Sequence, residues 1–283
     1  MQERQPKLIT TMKKLFLIVA AMFAAVSFSA CSDDDDNGGK APTPEKWVKQ
    51  IKYYFDGDYS ETTNITYDSE NRVKKIDDFW GVDYEFTYNG NSLTVKGRDE
   101  YEYIDEDMTF VCYVCKLNSD GYITEIEETG YETNGTDYYK LEYKNGYLQR
   151  VEKRYGDNNS RLGVTECKWS NGNLVESKYT DDDYRDDSHS YEVVKWSYSE
   201  TATPINVNVA YLIRGVGDVP NILGRFGFCG RQSAKLVCEY DYTSYVDGIE
   251  DDSGHNSYGY TFNPDGTVKS MNRNGNSFLN LIY

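Results

Sequence analysis

The chain is poor in proline, in histidine and in positive charge. Only 6 prolines occur among 283 residues. Proline cannot donate to a strand ladder and is confined to edges, turns and bulges, so its scarcity leaves room for many fully bonded strands. The only histidines are His189 and His255, and a multi-histidine metal centre is therefore excluded. Thirty Lys and Arg residues face 47 Asp and Glu, for a net charge of −17. That balance is unsuited to nucleic-acid phosphate or to an anionic membrane face. Long apolar runs are also missing. The apolar run Leu15 to Ala30, which carries no charge, falls short of the roughly 20 residues needed to span a bilayer. What is abundant is tyrosine, with 27 residues beside 11 Phe and 4 Trp. Aromatic and β-branched side chains suit a pleated, half-buried surface.

The apolar run follows Lys13 and Lys14 and ends in Phe28-Ser29-Ala30-Cys31. A basic flank, a short apolar centre and small residues before a cut site mark a secretory signal. The cut site resembles the bacterial lipobox, with Phe28 in the place usually held by Leu and Cys31 as the acceptor of the lipid. Residues 1–30 are therefore expected to be a lipoprotein signal peptide that starts at Met1 or Met12. Lipid chains hold a protein through buried methylenes, at about 0.8 kcal/mol each. Ser32-Asp33-Asp34-Asp35-Asp36-Asn37-Gly38-Gly39 follows directly and looks like the surface-export signal of Bacteroidota lipoproteins. It also reads as a solvated, self-repelling tether, completed at residue 45. Loss of residues 1–30 leaves 26 basic and 46 acidic residues, net −20. The expected location is the outer membrane, lipid-anchored and facing the cell surface, with a periplasm-facing anchor as the alternative.

Residues 46–283 carry one recurring phrase. An aromatic or large apolar residue precedes a polar turn with Gly or Asn, and two apolar residues three apart follow. Examples are Tyr67 to Ile76, Leu117 to Ile126, Tyr143 to Val151 and Phe262 to Met271; Tyr88-Asn89-Gly90 and Trp169 to Leu174 are shorter relatives. Asn-Gly and Asp-Gly tolerate the positive φ of tight hairpin turns. The flanks alternate: Tyr139, Leu141 and Tyr143 fall on one face, Lys140 and Glu142 on the other. This is the period of a sheet with one buried face. The pairs three apart break that alternation. Either a bulge just past the turn restores the inward face, or both faces are partly covered. The fold class is all-β: one antiparallel up-and-down meander of roughly 12–14 strands, curled into a half-open or closed barrel-like sheet. Residues 201–235 depart from the phrase and are expected as a short irregular or helical insertion that plugs or caps the sheet, or acts as a ligand lid.

No catalytic constellation emerges. Asp186-Asp187-Ser188-His189 and Asp251-Asp252-Ser253-Gly254-His255 hold the residue types of a triad, but neighbours in sequence rarely reach its geometry, so both read as loops. No Gly-x-Ser-x-Gly elbow and no phosphate-cradling loop is present. Asp181-Asp182-Asp183 and Glu250-Asp251-Asp252 lack the spacing of a calcium loop. Cys112 and Cys115 lie in a predicted strand, where positions three apart face opposite sides. Core cysteines are expected there, and the pairing of Cys112, Cys115, Cys167, Cys229 and Cys238 is open. Trp80 and Tyr147 stand at or beside predicted turns and are the candidates for stacking on a sugar ring.

The hairpin phrases, Thr203-Pro204-Ile205-Asn206, Gly230 to Leu236 and the closing hairpin Tyr258 to Met271 resemble the Bacteroidota lipoproteins of domain of unknown function 4595, over most of residues 47–283. Similar phrases occur in tyrosine–aspartate repeat proteins. The resemblance implies a porin-like shape and brings no activity. No alternate-residue lipid-facing band is present, so no pore is expected. The expected function is a non-catalytic envelope domain that binds a glycan or a partner protein, with no enzyme activity, cofactor or metal. A carrier with residues 205–228 as lid over an apolar ligand is the first alternative, and a glycoside hydrolase with a carboxylate pair the second.

Overall fold

The structure, a computed structural model, describes residues 46–283 apart from 56–57, 79–80, 100–108, 131–134, 157–160, 184–187 and 203–204. The expected signal peptide and tether, with Cys31, lie outside the described residues, as does Trp80. Sixteen strands follow in order: β1 Gln50–Phe55, β2 Asp58–Tyr67, β3 Val73–Asp77, β4 Val82–Asn89, β5 Ser92–Asp99, β6 Val111–Leu117, β7 Ile123–Gly130 and β8 Asp137–Lys144 make the first half. β9 Tyr147–Arg154, β10 Arg161–Ser170, β11 Asn173–Asp183, β12 Ser188–Ala202, β13 Lys235–Val246, β14 Ile249–Phe262, β15 Val268–Arg273 and β16 Asn276–Ile282 make the second. Between β12 and β13 lie two short helices, α1 (Val209–Ile213) and α2 (Asn221–Arg225). Each strand pairs antiparallel with its predecessor, and β1 pairs with β16 from Gln50↔Ile282 to Tyr53↔Leu279, closing the barrel. The count exceeds the expected 12–14 because the phrase marks turns on one rim only.

The connections fall in two sets. The turns after β2, β4, β6, β8, β10 and β14, the insertion after β12, and residues 46–49 and 283 share one rim, called here the plug rim. The remaining connections lie at the far rim. Turn chemistry follows sequence: Asn145-Gly146 and Asn171-Gly172 take φ of 53°, 78°, 50° and 73°, the doubly positive turn that matches strand twist.

The wall has opposite polarity on its two faces. Inward residues such as Ile76, Leu93, Ile126, Leu141 and Val151 are buried. Outward residues carry charge and form ion pairs, along a strand as in Arg150–Glu152 at 2.8 Å and across strands as in Lys168–Glu176 at 2.7 Å. Lipid contact would penalise each lysine or arginine by about 2–4 kcal/mol at the midplane, so this outer face is built for water. Sixteen strands enclose a lumen too wide for wall side chains to fill. Residues 205–234 fill it. Ile205, Val207, all of α1, Val216, Val219, Ile222, Leu223 and Phe226 are buried in one core with the wall. The insertion is therefore a plug inside the barrel and not a lid over it. Among the described residues, the space bounded by Leu148, Cys167, Trp169, Leu174, Tyr211 and Cys229 is about 10 Å³, room for about one water.

The apolar pairs three apart resolve as bulges. Tyr67 pairs with Val73 while Thr66 pairs with Lys75, leaving Lys74 as the extra residue. The same slip recurs at Leu117↔Ile123, Tyr143↔Leu148, Trp169↔Leu174 and Phe262↔Val268. Each slip returns the second apolar residue to the inward face, so Val73 and Ile76 are both buried.

The tyrosine or tryptophan at or near the plug-rim end of most even-numbered strands has its own task. Its polar hydrogen reaches back to a backbone carbonyl of the preceding hairpin. Tyr67 donates to Val48 (2.6 Å), Tyr88 to Val73 (2.8 Å), Tyr143 to Ile123 (2.6 Å) and Trp169 Nε1 to Leu148 (2.6 Å). Tyr198 donates to Leu174 (2.7 Å), Tyr260 to Val237 (2.6 Å) and Tyr283 to Val268 (3.0 Å). Leu117 holds the equivalent place on β6 and has no donor. These locks stitch neighbouring hairpins along the plug rim. Tyr143→Phe is expected to lower stability by about 1–3 kcal/mol, the range from one lost bond to a carbonyl left unsatisfied. Urea denaturation reads it; no measurable loss would mean that the ring alone matters.

The five cysteines among the described residues are free thiols. Cys115 faces the core and burial pushes it up to about 12. Cys112 lies half-buried on the opposite face of β6.

Candidate functional site

The inward face changes character towards the far rim. Along β7, Ile126 and then Glu128 point inward; along β8, Asp137 precedes Tyr139 and Leu141; along β9, Lys153 follows Val151. Closure of the barrel brings these ionisable groups together with the plug. Lys153 Nζ lies 3.1 Å from Asp137 Oδ2 and sits over the rings of Tyr139 (5.1 Å) and Tyr155 (4.4 Å). The amide of Gly156 donates to Asp137 Oδ1 at 2.8 Å. The Tyr139 hydroxyl donates to Glu128. From the plug loop after α1, Asp218 accepts from Tyr155 (2.9 Å) and Tyr179 (3.2 Å), while its amide donates to Thr165 Oγ1 (3.2 Å). Three carboxylates thus surround one ammonium.

Burial raises Glu128 and Asp218 above the ordinary carboxylate range, and the Lys153 charge opposes the shift in both. A raised acid binds its proton more tightly folded than unfolded. Its contribution to stability is therefore full below the unfolded value, near 4, and is lost as pH rises through the folded value. Asp218→Asn keeps an oxygen for both phenols and removes the titration. Relative to this variant, the native chain is expected to lose stability between pH 5 and pH 8. Urea melts at the two pH values check this; parallel behaviour of the two proteins would refute it.

Beside this cluster, Arg214 at the end of α1 ion-pairs with Glu192 on β12. Its guanidinium lies 4.3 Å from the Tyr242 ring centroid and 5.4 Å from that of Tyr240. Tyr242 in turn donates to Asp252 at 3.0 Å. The mouth at the far rim therefore offers phenols, carboxylates and a guanidinium around a floor of plug residues. Such an arrangement suits hydrogen bonding and ring stacking with a polar ligand.

Tyr147 is at the opposite end. It starts β9 on the plug rim, with its ring 4.7 Å from Trp169 and the Arg231 guanidinium 5.6 Å from its centroid. It packs where the plug leaves the barrel. The two histidines are strand residues and not loop residues. His255 on β14 meets Asp241 of β13 at 2.8 Å on the outer wall, and His189, the second residue of β12, is paired with Asp182 and donates its amide to Asp247 Oδ1 (3.1 Å). The mouth residues went unnoticed in the sequence because they come from many separate strands and from the plug. The signal that could have found them is parity: Glu128, Asp137 and Lys153 fall on the inward count of their strands.

No protein-family model matches the chain, and no curated protein matches it. Solved structures do. A porin-like protein from Bacteroides vulgatus superposes with a TM-score of 0.64 at 14% identity, over 84% of this chain and 99% of the other. A porin-like protein from Bacteroides uniformis superposes with a TM-score of 0.56 at 13% identity, over 83% of this chain and 96% of the other. At these identities the likeness is one of fold: this chain shares the barrel of the two porin-like proteins.

Proposed function

We propose that this chain is a lipid-anchored cell-envelope protein of the family of domain of unknown function 4595, which binds a glycan or a partner protein at its far mouth without transforming it. The observation that carries the reading is the placement of polar and aromatic groups. Arg214, Tyr242, Asp218, Tyr155 and Tyr179 gather at one end of a barrel whose lumen is filled and whose outer wall is charged. The described plug residues are buried in one core with the wall, which speaks against a carrier's lid. Residue 46 stands at the other rim, so a tether on Cys31 would present the mouth away from the membrane.

A thermal-shift screen of the soluble chain from Lys46 to Tyr283 against host and microbial oligosaccharides tests this. A ligand at 100 times its Kd stabilises by about 2.7 kcal/mol, a shift of several degrees. Arg214→Ala and Tyr242→Ala are expected to abolish that shift. Its loss in Tyr147→Ala alone would move the site to the plug rim, and the absence of any sugar response would leave a protein partner. The hydrolase reading has one observation in its favour, the two raised carboxylates at the same mouth. Sugar products released by the native chain and not by Asp218→Asn would establish it instead.

A further inference from the structure

The hairpin β13–β14 rises past its neighbour on one side. β14 pairs with β15 only from Tyr258↔Arg273 onward, while it pairs with β13 along its length to Ile249. At Ser257 the amide donates to Asn274 Oδ1 (2.8 Å) and the carbonyl accepts from the Asn274 amide (2.9 Å). Main-chain groups alternate in direction along a strand, so those of Ser253 and His255 point to the same side as those of Ser257. There β15 has ended, and no described strand faces them. A bulge at Asp251 follows, since Ser244 pairs with Asp252 and Tyr245 with Glu250.

The side chains around this open edge are of two kinds. Asp247, Glu250, Asp251 and Asp252 are exposed. Ile249 is 73% exposed and Val246 42%, although aliphatic side chains of that size gain from burial. Unpaired main-chain groups, acidic side chains and bare aliphatics on one hairpin are the three features that strand addition uses. From these we infer that the β14 edge at Ser253 and His255 is a docking surface for an extended polypeptide that alternates basic with aliphatic side chains. The partner's main chain continues the sheet, its lysines or arginines meet Glu250, Asp251 and Asp252, and its aliphatic residues cover Ile249 and Val246. A second copy of the chain fits poorly, because pairing two such edges would oppose their acidic runs. This inference is independent of the ligand reading at the mouth.

The probe is a seven-residue peptide alternating lysine with valine, capped at both ends, added to the full mature chain. Amide hydrogen exchange at Ser253 and His255 is expected to slow at least tenfold at saturation, and the effect to weaken with salt. The same peptide with alternate amides N-methylated, and one with glutamate for lysine, should leave exchange unchanged. Ser253→Pro places a ring where the amide faces away from β13, so the fold should persist by thermal melting while protection is lost. No slowing at millimolar peptide, equal slowing by either control peptide, or slowing that survives in Ser253→Pro would each overturn the proposal. So would a doubling of mass without peptide, which would assign the edge to self-association.

Discussion

Arg225→Ala is expected to cost about 3–5 kcal/mol of stability, the range seen when one partner of a buried ion pair is removed. Arg225 closes α2 inside the barrel with its side chain 9% exposed, and Asp78, 7% exposed, faces it from the end of β3 at 3.6 Å. Thr63 Oγ1 also donates to Asp78, at 2.7 Å. This is the contact by which the deepest part of the plug is tied to the wall by charge. Asp78→Ala should cost a similar amount, since it strands the guanidinium. The pair Asp78→Leu with Arg225→Met should recover most of the loss, because matched apolar groups leave no charge buried. Urea denaturation of the three proteins measures all of these. Losses below about 1 kcal/mol for both single variants would show that apolar packing alone seats the plug.

Gly224→Ala is the second large expectation. A Cβ at this position would lie 2.1 Å from both Cδ1 and Cε1 of Tyr211, closer than any real contact. Tyr211 is 3% exposed within α1, packed among plug and wall, so the ring has little space to yield. Overpacking a filled core costs about 1–3 kcal/mol and sometimes more, and the upper end is expected here. The two helices cross at this glycine. Tyr211→Leu should therefore suppress the cost, and a double-mutant cycle should give a coupling of about 1 kcal/mol or more. Additive losses would place the strain elsewhere.

Much of the wall was legible in sequence and little of the mouth. The alternation of Tyr139, Leu141 and Tyr143 gave the inward face, because one side of each strand meets a core and the other meets water. The Asn-Gly turns gave the hairpins, because few residues accept positive φ. The pairs three apart signalled bulges, although sequence left a second explanation open. Local pattern could not yield the strand number or closure, since both depend on β1 meeting β16 across the whole chain. The mouth was hidden for the same reason. Asp137 and Lys153 lie 16 residues apart on the two arms of one hairpin, Asp218 lies 65 residues beyond Lys153 and joins them only through the plug, and acidic residues are too common here for count to single them out. Tyr147 was read correctly as standing beside a turn, but its ring packs on Trp169 at the plug rim.

The locks between hairpins bear on how such a chain could have grown. Each lock joins an aromatic to the carbonyl of the hairpin just before it, as Tyr143 joins Ile123 and Trp169 joins Leu148. A duplicated hairpin would carry its own donor and offer its own acceptor, so the wall could lengthen or shorten by whole units without a new interface being invented. Barrel diameter rises with strand number, however, and a plug of fixed volume matches one diameter only. In this protein the wall is a periodic polymer and the plug is its ruler: descent by gain or loss of hairpins would be stopped at the number that residues 205–234 can fill.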